Sequence, residues 1–251
     1  MTIHIPTSLF DGISKWLRSS GWIDNYDEIL EAYFASYVSG FGDGGLDELE
    51  VLLGTTWYTV LEDMAFNDFL TSDFDGNTAI NLYLKKQGWK EKPLIKAYFK
   101  AMQESNVSIH RVSNIQPGKS FDAEDMLFGR AIQTVQAETV THHMSEGEYY
   151  ITRVMNVRGH TIAAGGFLPT EADMVDEANE AIDALTQKIA EEIEAKIESG
   201  AVPIEKLKKE LPADLRAEPI PAFAFMATLP HFSMIIATRW IERYLEAQEL
   251  V

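Results

Sequence analysis

The sequence contains no cysteine among its 251 residues. Disulfide bonds, thiolate nucleophiles and metal sites with cysteine ligands are therefore excluded, so any metal would need histidine and carboxylate ligands. Long apolar runs are also absent, because no stretch reaches the roughly 18 residues that a membrane-spanning helix requires. The first residues have neither the basic region nor the continuous apolar region of a signal peptide. We therefore expect a cytoplasmic protein without a membrane span.

Positive charge is scarce. The chain has 21 Lys and Arg against 39 Asp and Glu, which gives a net charge of −18. Such a field repels phosphate backbones, and the sequence has no motif in which basic and aromatic residues alternate as they do in nucleic-acid-binding proteins. We expect no nucleic-acid partner. The charge serves solubility in the simplest interpretation, and attraction to a basic partner is the alternative.

The lysines of the N-terminal part are concentrated in one segment. No basic residue occurs between Arg18 and Lys85, and six lysines then fall within residues 85–100, against the single acidic residue Glu91. We expect this segment to lie against the acidic helices or to face a partner. Two solvated helix faces are the simpler alternative, because exposed ion pairs contribute little stability.

Residues 1–105 are predicted to form a helical region, because apolar residues recur at spacings of three and four behind capping residues. The predicted helices cover residues 8–18, 24–38, 46–70, 79–87 and 93–105. The segment from Asp73 to Thr78 resembles the start of a calcium-binding loop. An EF-type loop needs glycine in sixth place and an acid in twelfth, whereas Gly76 is fourth and Leu84 twelfth. We predict a turn here, with Asn77 or Thr78 capping the next helix.

Residues 106–169 are predicted to form a small β module. Turn signals such as Pro117-Gly118 and Arg158-Gly159 occur every few residues and are separated by stretches rich in β-branched and aromatic residues. The candidate strands are 107–116, 120–127, 130–136, 148–158 and 159–168. Five short strands with tight turns favour an SH3-like or OB-like barrel.

The alternation of apolar residues is irregular in the first of these strands. Ile109, Val112 and Ile115 do not keep a period of two, so we expect a β-bulge there. We also predict that residues 107–168 are the only sizeable β region, which strands spread through residues 1–100 or a parallel sheet would contradict.

Three segments of the chain resemble one known group of proteins. They are DFLTSDFDGNTAINLYL, VSIHRVSNIQPGKSFDAEDMLFGR and ITRVMNVRGHTIAAGG, and together they look like the body of bacterial proteins that often end in a SEC-C zinc motif. The resemblance covers about residues 65–170 and rests on turn and core positions: Val112, Ile115, Pro117, Gly118, Asp125, Leu127 and Gly129. The terminal Cys/His ribbon is missing, so partner contacts made by that ribbon do not carry over, and the resemblance implies no activity.

Residues 170–251 are predicted to be C-terminal helices that pack on the rest. Thr170 is placed as the cap of a long helix whose apolar stripe includes Val175, Ile182 and Ile189. About thirty residues give a helix of about 45 Å, which exceeds the width of a small barrel. The stripe must therefore also cover the N-terminal helices or a second chain. We predict that a protein partner, or self-association, uses the helix at 172–197.

The densest set of side chains that could bind a metal or exchange protons is His142, His143, Glu146 and Glu148. Adjacent histidines of a strand point to opposite faces, so both could bind one ion only in a loop or across a bulge. Whether this set binds metal is left open by the sequence. We therefore assign no catalytic, cofactor-binding or metal residue and no cofactor.

The resulting prediction is an α+β protein with an N-terminal helical region, a small five-stranded barrel and C-terminal helices. Its predicted function is that of a non-enzymatic protein-binding or adaptor module. The alternative is a metal-dependent hydrolase that uses His142 and His143. The partner, pathway, oligomeric state and any substrate are not specified by the sequence.

Overall fold

The described part of the chain contains seven α-helices and five strands. A computed structural model describes residues 3–38, 45–74, 76–198 and 232–248. The helices are α1 (Asp11–Ser20), α2 (Asp24–Val38), α3 (Gly45–Thr71), α4 (Ala79–Gln87), α5 (Pro93–Gln103), α6 (Met174–Glu198) and α7 (Phe232–Ala247). The strands are β1 (Val107–Gln116), β2 (Ser120–Asp125), β3 (Gln133–Gln136), β4 (Tyr149–Val157) and β5 (His160–Thr170). The predicted α+β class is confirmed.

The N-terminal helices begin and end where local chemistry requires. α1 ends at Gly21, whose φ of 76° lies in the left-handed region that glycine adopts without strain. α4 begins behind Thr78, whose hydroxyl accepts the backbone N–H of Asn81, so the predicted cap is confirmed. α3 is interrupted at Gly54, where φ is 75° and ψ is 148°, and therefore consists of two helical pieces.

The strands form a closed barrel in the order β1-β2-β3-β5-β4. Four neighbouring pairs are antiparallel, and a short parallel pairing at Gln136 and Ile162 closes the barrel between β3 and β5. The predicted small five-stranded barrel is therefore confirmed. Within residues 3–38, 45–74 and 76–100 the structure has no strand and only an isolated bridge between Phe74 and Asn77. The predicted location of the β region is therefore confirmed.

The predicted bulge in the first strand is also present. The register between β1 and β2 shifts between Ser113 and Gln116, and Asn114 between them has a positive φ of 48°. Asparagine tolerates this conformation better than most residues, because its short side chain can hydrogen-bond locally. Here the amide of Asn114 donates to Asp122 at 3.1 Å.

Strand β4 separates two hydrophobic cores. Tyr150 and Val154 point into a small core inside the barrel, whereas Ile151 and Met155 join a larger core that the barrel shares with the helices. The alternation of side chains along a strand produces this division. Every residue from Tyr150 to Met155 is buried, so β4 lies between the barrel interior and the helical layer.

The C-terminal helices pack on the remainder of the chain. Met174, Ala178 and Ile182 of α6 are fully buried, and α7 contributes Ile236 and Ile241 to the larger core. The predicted cap at Thr170 is wrong, because the chain continues as β5 through Thr170 and α6 begins at Met174.

The C-terminal half of the predicted α6 stripe cannot be placed in the same way. The side chains of Leu185, Ile189, Ile193 and Ile197 lie outside the described set.

Across the described ranges, no helix has both the length and the apolar character needed to cross a bilayer.

Candidate functional site

The histidines and acids singled out in the sequence lie around the turn between β3 and β4. His142 ends a short 3-10 turn, His143 follows it, and both are exposed together with Glu146 and Glu148. Glu146 accepts the backbone N–H groups of Asn114 and Ile115 at 2.9 and 2.8 Å. That carboxylate is therefore engaged in holding the β1 bulge.

The second carboxylate of this set is also engaged. Glu148 accepts the backbone N–H of Ser145 and the hydroxyl of Tyr150, each at 2.7 Å, and these hydrogen bonds lower its pKa. Among the described residues, no group of three or more His, Asp or Glu side chains is placed to hold a metal ion. Glu146 and Glu148 are thus both engaged in hydrogen bonds beside the exposed His142 and His143.

A buried ion pair joins β4 to the helices. Arg153 Nη2 lies 2.9 Å from Asp68 Oδ1, and the hydroxyl of Tyr33 donates to the other oxygen of Asp68. Arg153 Nη1 donates to the carbonyl oxygens of Met102 and Ser105 at the end of α5. Burial raises the pKa of Asp68 to about 6, although Arg153 and Tyr33 both act to lower it. These hydrogen bonds join β4 of the barrel to the helical layer. Asp68 and Arg153 are buried, so they are not part of the exposed surface.

A second polar cluster lies inside one end of the barrel. Asp125 Oδ1 accepts the hydroxyl of Ser108 at 2.5 Å and two backbone N–H groups of the turn after β2. Asp125 Oδ2 has no hydrogen-bond partner within the described residues and lies 3.7 Å from Arg130 Nη1. His110 pairs with Asp125 across β1 and β2, and neither of its ring nitrogens has a hydrogen-bond partner among the described groups. Burial lowers the pKa of His110, so the ring is neutral at pH 7.

The lysine segment, defined here as residues 85–100, forms an exposed basic surface. All six of its lysines are exposed, and three of them, Lys92, Lys96 and Lys100, recur every fourth residue from the N-cap of α5 onward. Within the described chain, their only ion pair is the one between Lys100 and Glu104, at 3.7 Å. Of the two expectations for this segment, contact with the acidic helices through ion pairs is not seen among the described residues, although Lys86 Nζ lies 5.9 Å from the centre of the Trp16 ring on α1. Contact with a partner stays a prediction.

An exposed tryptophan lies within the lysine segment. Trp89, in the 3-10 turn between α4 and α5, is 77% exposed. Lys90 Nζ lies 5.0 Å from the centre of its ring, a cation–π distance. Tryptophan is enriched at protein interfaces relative to the rest of the surface. Trp89 therefore gives the lysine segment an exposed aromatic side chain that a partner could bury.

A pocket of about 400 Å³ opens beside the lysine segment, between α1 and the turn that carries Trp89. Trp16 and Tyr83 supply aromatic walls, and Lys15 and Lys90 supply positive charge. Glu91 also lines this pocket, which we call the Trp16 pocket, and the hydroxyl of Tyr83 donates to the Glu91 carboxylate. The pocket combines apolar walls with two cations, which suits an acidic or amphipathic side chain.

The exposure of Trp89 is the feature of the candidate site that the sequence interpretation missed. A signal for it exists at the positions three and four residues away, which are Lys85, Lys86, Lys92 and Pro93. A tryptophan that belongs to a helix core normally has apolar neighbours at those spacings. Lysines occupy these positions on both sides of Trp89, which indicates that its ring is exposed.

The chain was compared with protein-family models, with curated proteins and with solved structures. No family model, no curated protein and no solved structure matches it.

Proposed function

We propose that this chain is a non-enzymatic protein-binding or adaptor protein that recognises an acidic segment of a partner through the lysine segment. The observation that carries the proposal is Trp89, 77% exposed among lysines that, apart from Lys100, form no described ion pair. Binding of an acidic segment would bury the ring and neutralise the lysines together, and tryptophan is among the residues that contribute most to protein interfaces.

The charge of the whole chain restricts the kind of partner. With a net charge of −18, the protein repels long polyanions, whereas the lysine segment offers a local region of opposite sign on the described part of the chain. A short acidic protein segment can contact that region without approaching the acidic helices. Apolar residues within such a segment would meet Trp89 and the walls of the Trp16 pocket.

Fluorescence anisotropy tests the proposal with a short labelled peptide of glutamates with interspersed leucines. Trp89→Ser, or the pair Lys86→Glu with Lys90→Glu, should weaken binding by about tenfold or more. Raising NaCl from about 50 to about 500 mM should weaken it as well, because exposed charges are screened.

Matched variants identify the surface responsible. Val51→Ser removes another exposed apolar side chain, and the pair Lys119→Glu with Lys188→Glu makes the same charge change on β-barrel and α6 positions. Both should leave the affinity unchanged. Equal losses from these controls, or equal affinity for a single-stranded oligonucleotide, would contradict recognition of an acidic protein segment.

Docking or self-association through the helix at 172–197 is a separate proposal. The first turns of α6 are occupied within the chain, since Met174, Ala178 and Ile182 are buried, so the proposal applies to the C-terminal half. Light scattering of the wild type and of Ile189→Asp tests it. Dissociation of a dimer into folded monomers supports association, and a monomeric wild type rules out self-association.

Two further statements from the sequence also stand as proposals. One is kinship with bacterial proteins that often end in a SEC-C motif, and the other is a cytoplasmic location, which fractionation of cells tests.

A further inference from the structure

Three aromatic rings meet where α3, β5 and α7 come together, on elements that the lysine segment does not use. Trp240 and Tyr244, one turn apart on α7, stack with ring centres 5.1 Å apart. Trp57 of α3 meets Trp240 edge-on at 5.7 Å. The indole N–H of Trp240 donates to the carbonyl oxygen of Pro169 at 2.7 Å, which fixes this ring against the end of β5.

These rings line a groove of about 350 Å³, within the size range of small-ligand sites. Its other lining residues include Glu171, Arg243 and Glu246. The groove, called here the aromatic groove, therefore combines aromatic rings with carboxylates. Positive charge comes from one guanidinium.

The guanidinium of Arg243 is already engaged by carboxylates. It contacts Asp173 at 2.6 and 2.8 Å, and Glu171 and Glu177 at 3.2 Å each. One positive charge thus faces three negative charges, and Glu246 at the rim adds a fourth. The hydrogen bond from Arg243 lowers the pKa of Asp173, so this carboxylate is ionised at neutral pH. The groove has excess negative charge, and its one cation is not free to receive an anion.

We propose that the aromatic groove binds a cation that carries a quaternary or methylated ammonium group. The faces of aromatic rings attract cations, and cages of such rings are a general means of recognising quaternary ammonium groups and methylated lysine. Such a group has apolar methyls that contact the rings and a diffuse charge that the surrounding carboxylates stabilise. It needs few hydrogen-bond acceptors, which suits a groove that combines three aromatic rings with carboxylates at its edge.

Isothermal titration calorimetry tests the proposal with choline chloride, with trimethyllysine and with dimethylbutanol, in which carbon replaces the charged nitrogen of choline. Choline and trimethyllysine should bind about tenfold more tightly than dimethylbutanol, because only the charged ligands gain the cation–π attraction. Added NaCl should weaken the binding of the two cations and leave dimethylbutanol unaffected. Equal binding of choline and dimethylbutanol, or no binding of either cation, would overturn the proposal.

Variants locate the binding site. Tyr244→Leu should weaken choline binding about tenfold, and Glu246→Gln should weaken it about threefold. Glu246 is exposed, so its replacement should leave the fold intact, and Glu104→Gln provides the matched control at the exposed C-cap of α5. Equal effects of the two glutamine variants would place the binding elsewhere and overturn the proposal.

Two sources of the same chemical group are distinguished by a peptide arm. A peptide containing trimethyllysine that binds much more tightly than choline identifies a methylated protein as the ligand. Equal affinities identify a small ammonium compound. Binding at this groove is independent of the lysine segment, so loss of acidic-peptide binding in Trp89→Ser should leave choline binding intact.

Discussion

Replacement of Arg153 by methionine should be among the most damaging single changes to this fold. Arg153 is 3% exposed and is held by Asp68 and by the carbonyl oxygens at the end of α5. Methionine retains much of the aliphatic length but removes the charge, leaving the Asp68 carboxylate buried with the hydroxyl of Tyr33 as its remaining side-chain donor. Removal of one partner from a buried ion pair costs about 3–5 kcal/mol. We expect a loss of this size in the free energy of unfolding, measured by urea denaturation at pH 7.5.

A double-mutant cycle separates the ion pair from ordinary packing. The variant that combines Arg153→Met with Asp68→Leu should lose much less than the sum of the two single changes, because no uncompensated charge remains. The coupling should also shrink at pH 5. With a pKa of about 6, Asp68 is then largely protonated and costs less to leave without its partner. A loss below about 1 kcal/mol for Arg153→Met, or strict additivity at pH 7.5, would refute this account of the interface.

Two further predictions concern the barrel. Burial lowers the pKa of His110 below its value in the unfolded chain, so the unfolded state binds the proton first and His110 should reduce stability as the pH falls below about 6.5. Urea denaturation should therefore show that His110→Gln loses less free energy of unfolding than the wild type between pH 7.5 and pH 5. An identical loss in the two proteins would contradict this prediction. Gly166→Ala should lower the free energy of unfolding by about 1–3 kcal/mol more than Gly147→Ala. Both glycines have a positive φ, but only a new Cβ at position 166 would lie 2.8 Å from Val60 Cγ1. Thermal and urea denaturation of the two variants measure the difference, and equal losses would show that backbone strain alone matters.

Local signals explain which parts of the fold were predictable. Turn residues and β-branched stretches define all five strands, and the irregular spacing of Ile109 and Val112 indicates the bulge in β1. The end of β5 was misjudged because threonine suits both a strand and a helix cap, so the continuation through Thr170 depends on its pairing with Tyr149 of β4.

Contacts between distant residues explain what was not predictable. Asp68 and Arg153 are separated by 85 positions, and neither has a sequence neighbour that identifies the other. The aromatic groove likewise brings Trp57 together with Trp240 only after α3 and α7 have packed. The exposure of Trp89 differs, because the lysines around it are a local signal that sequence reasoning can use.

The position of β4 between two cores has a consequence for how the chain tolerates insertions and deletions. Adding or removing one residue inside β4 would exchange the directions of all side chains beyond that point. Arg153 would then face the interior of the barrel and lose its contact with Asp68, and Val154 would leave the small core. An extra residue in the turn at 145–148 leaves the strand's alternation intact, whereas the same insertion at Thr152 would disrupt both cores at once. Length variation among natural or designed versions of this chain should therefore be found in its turns and be absent from β4.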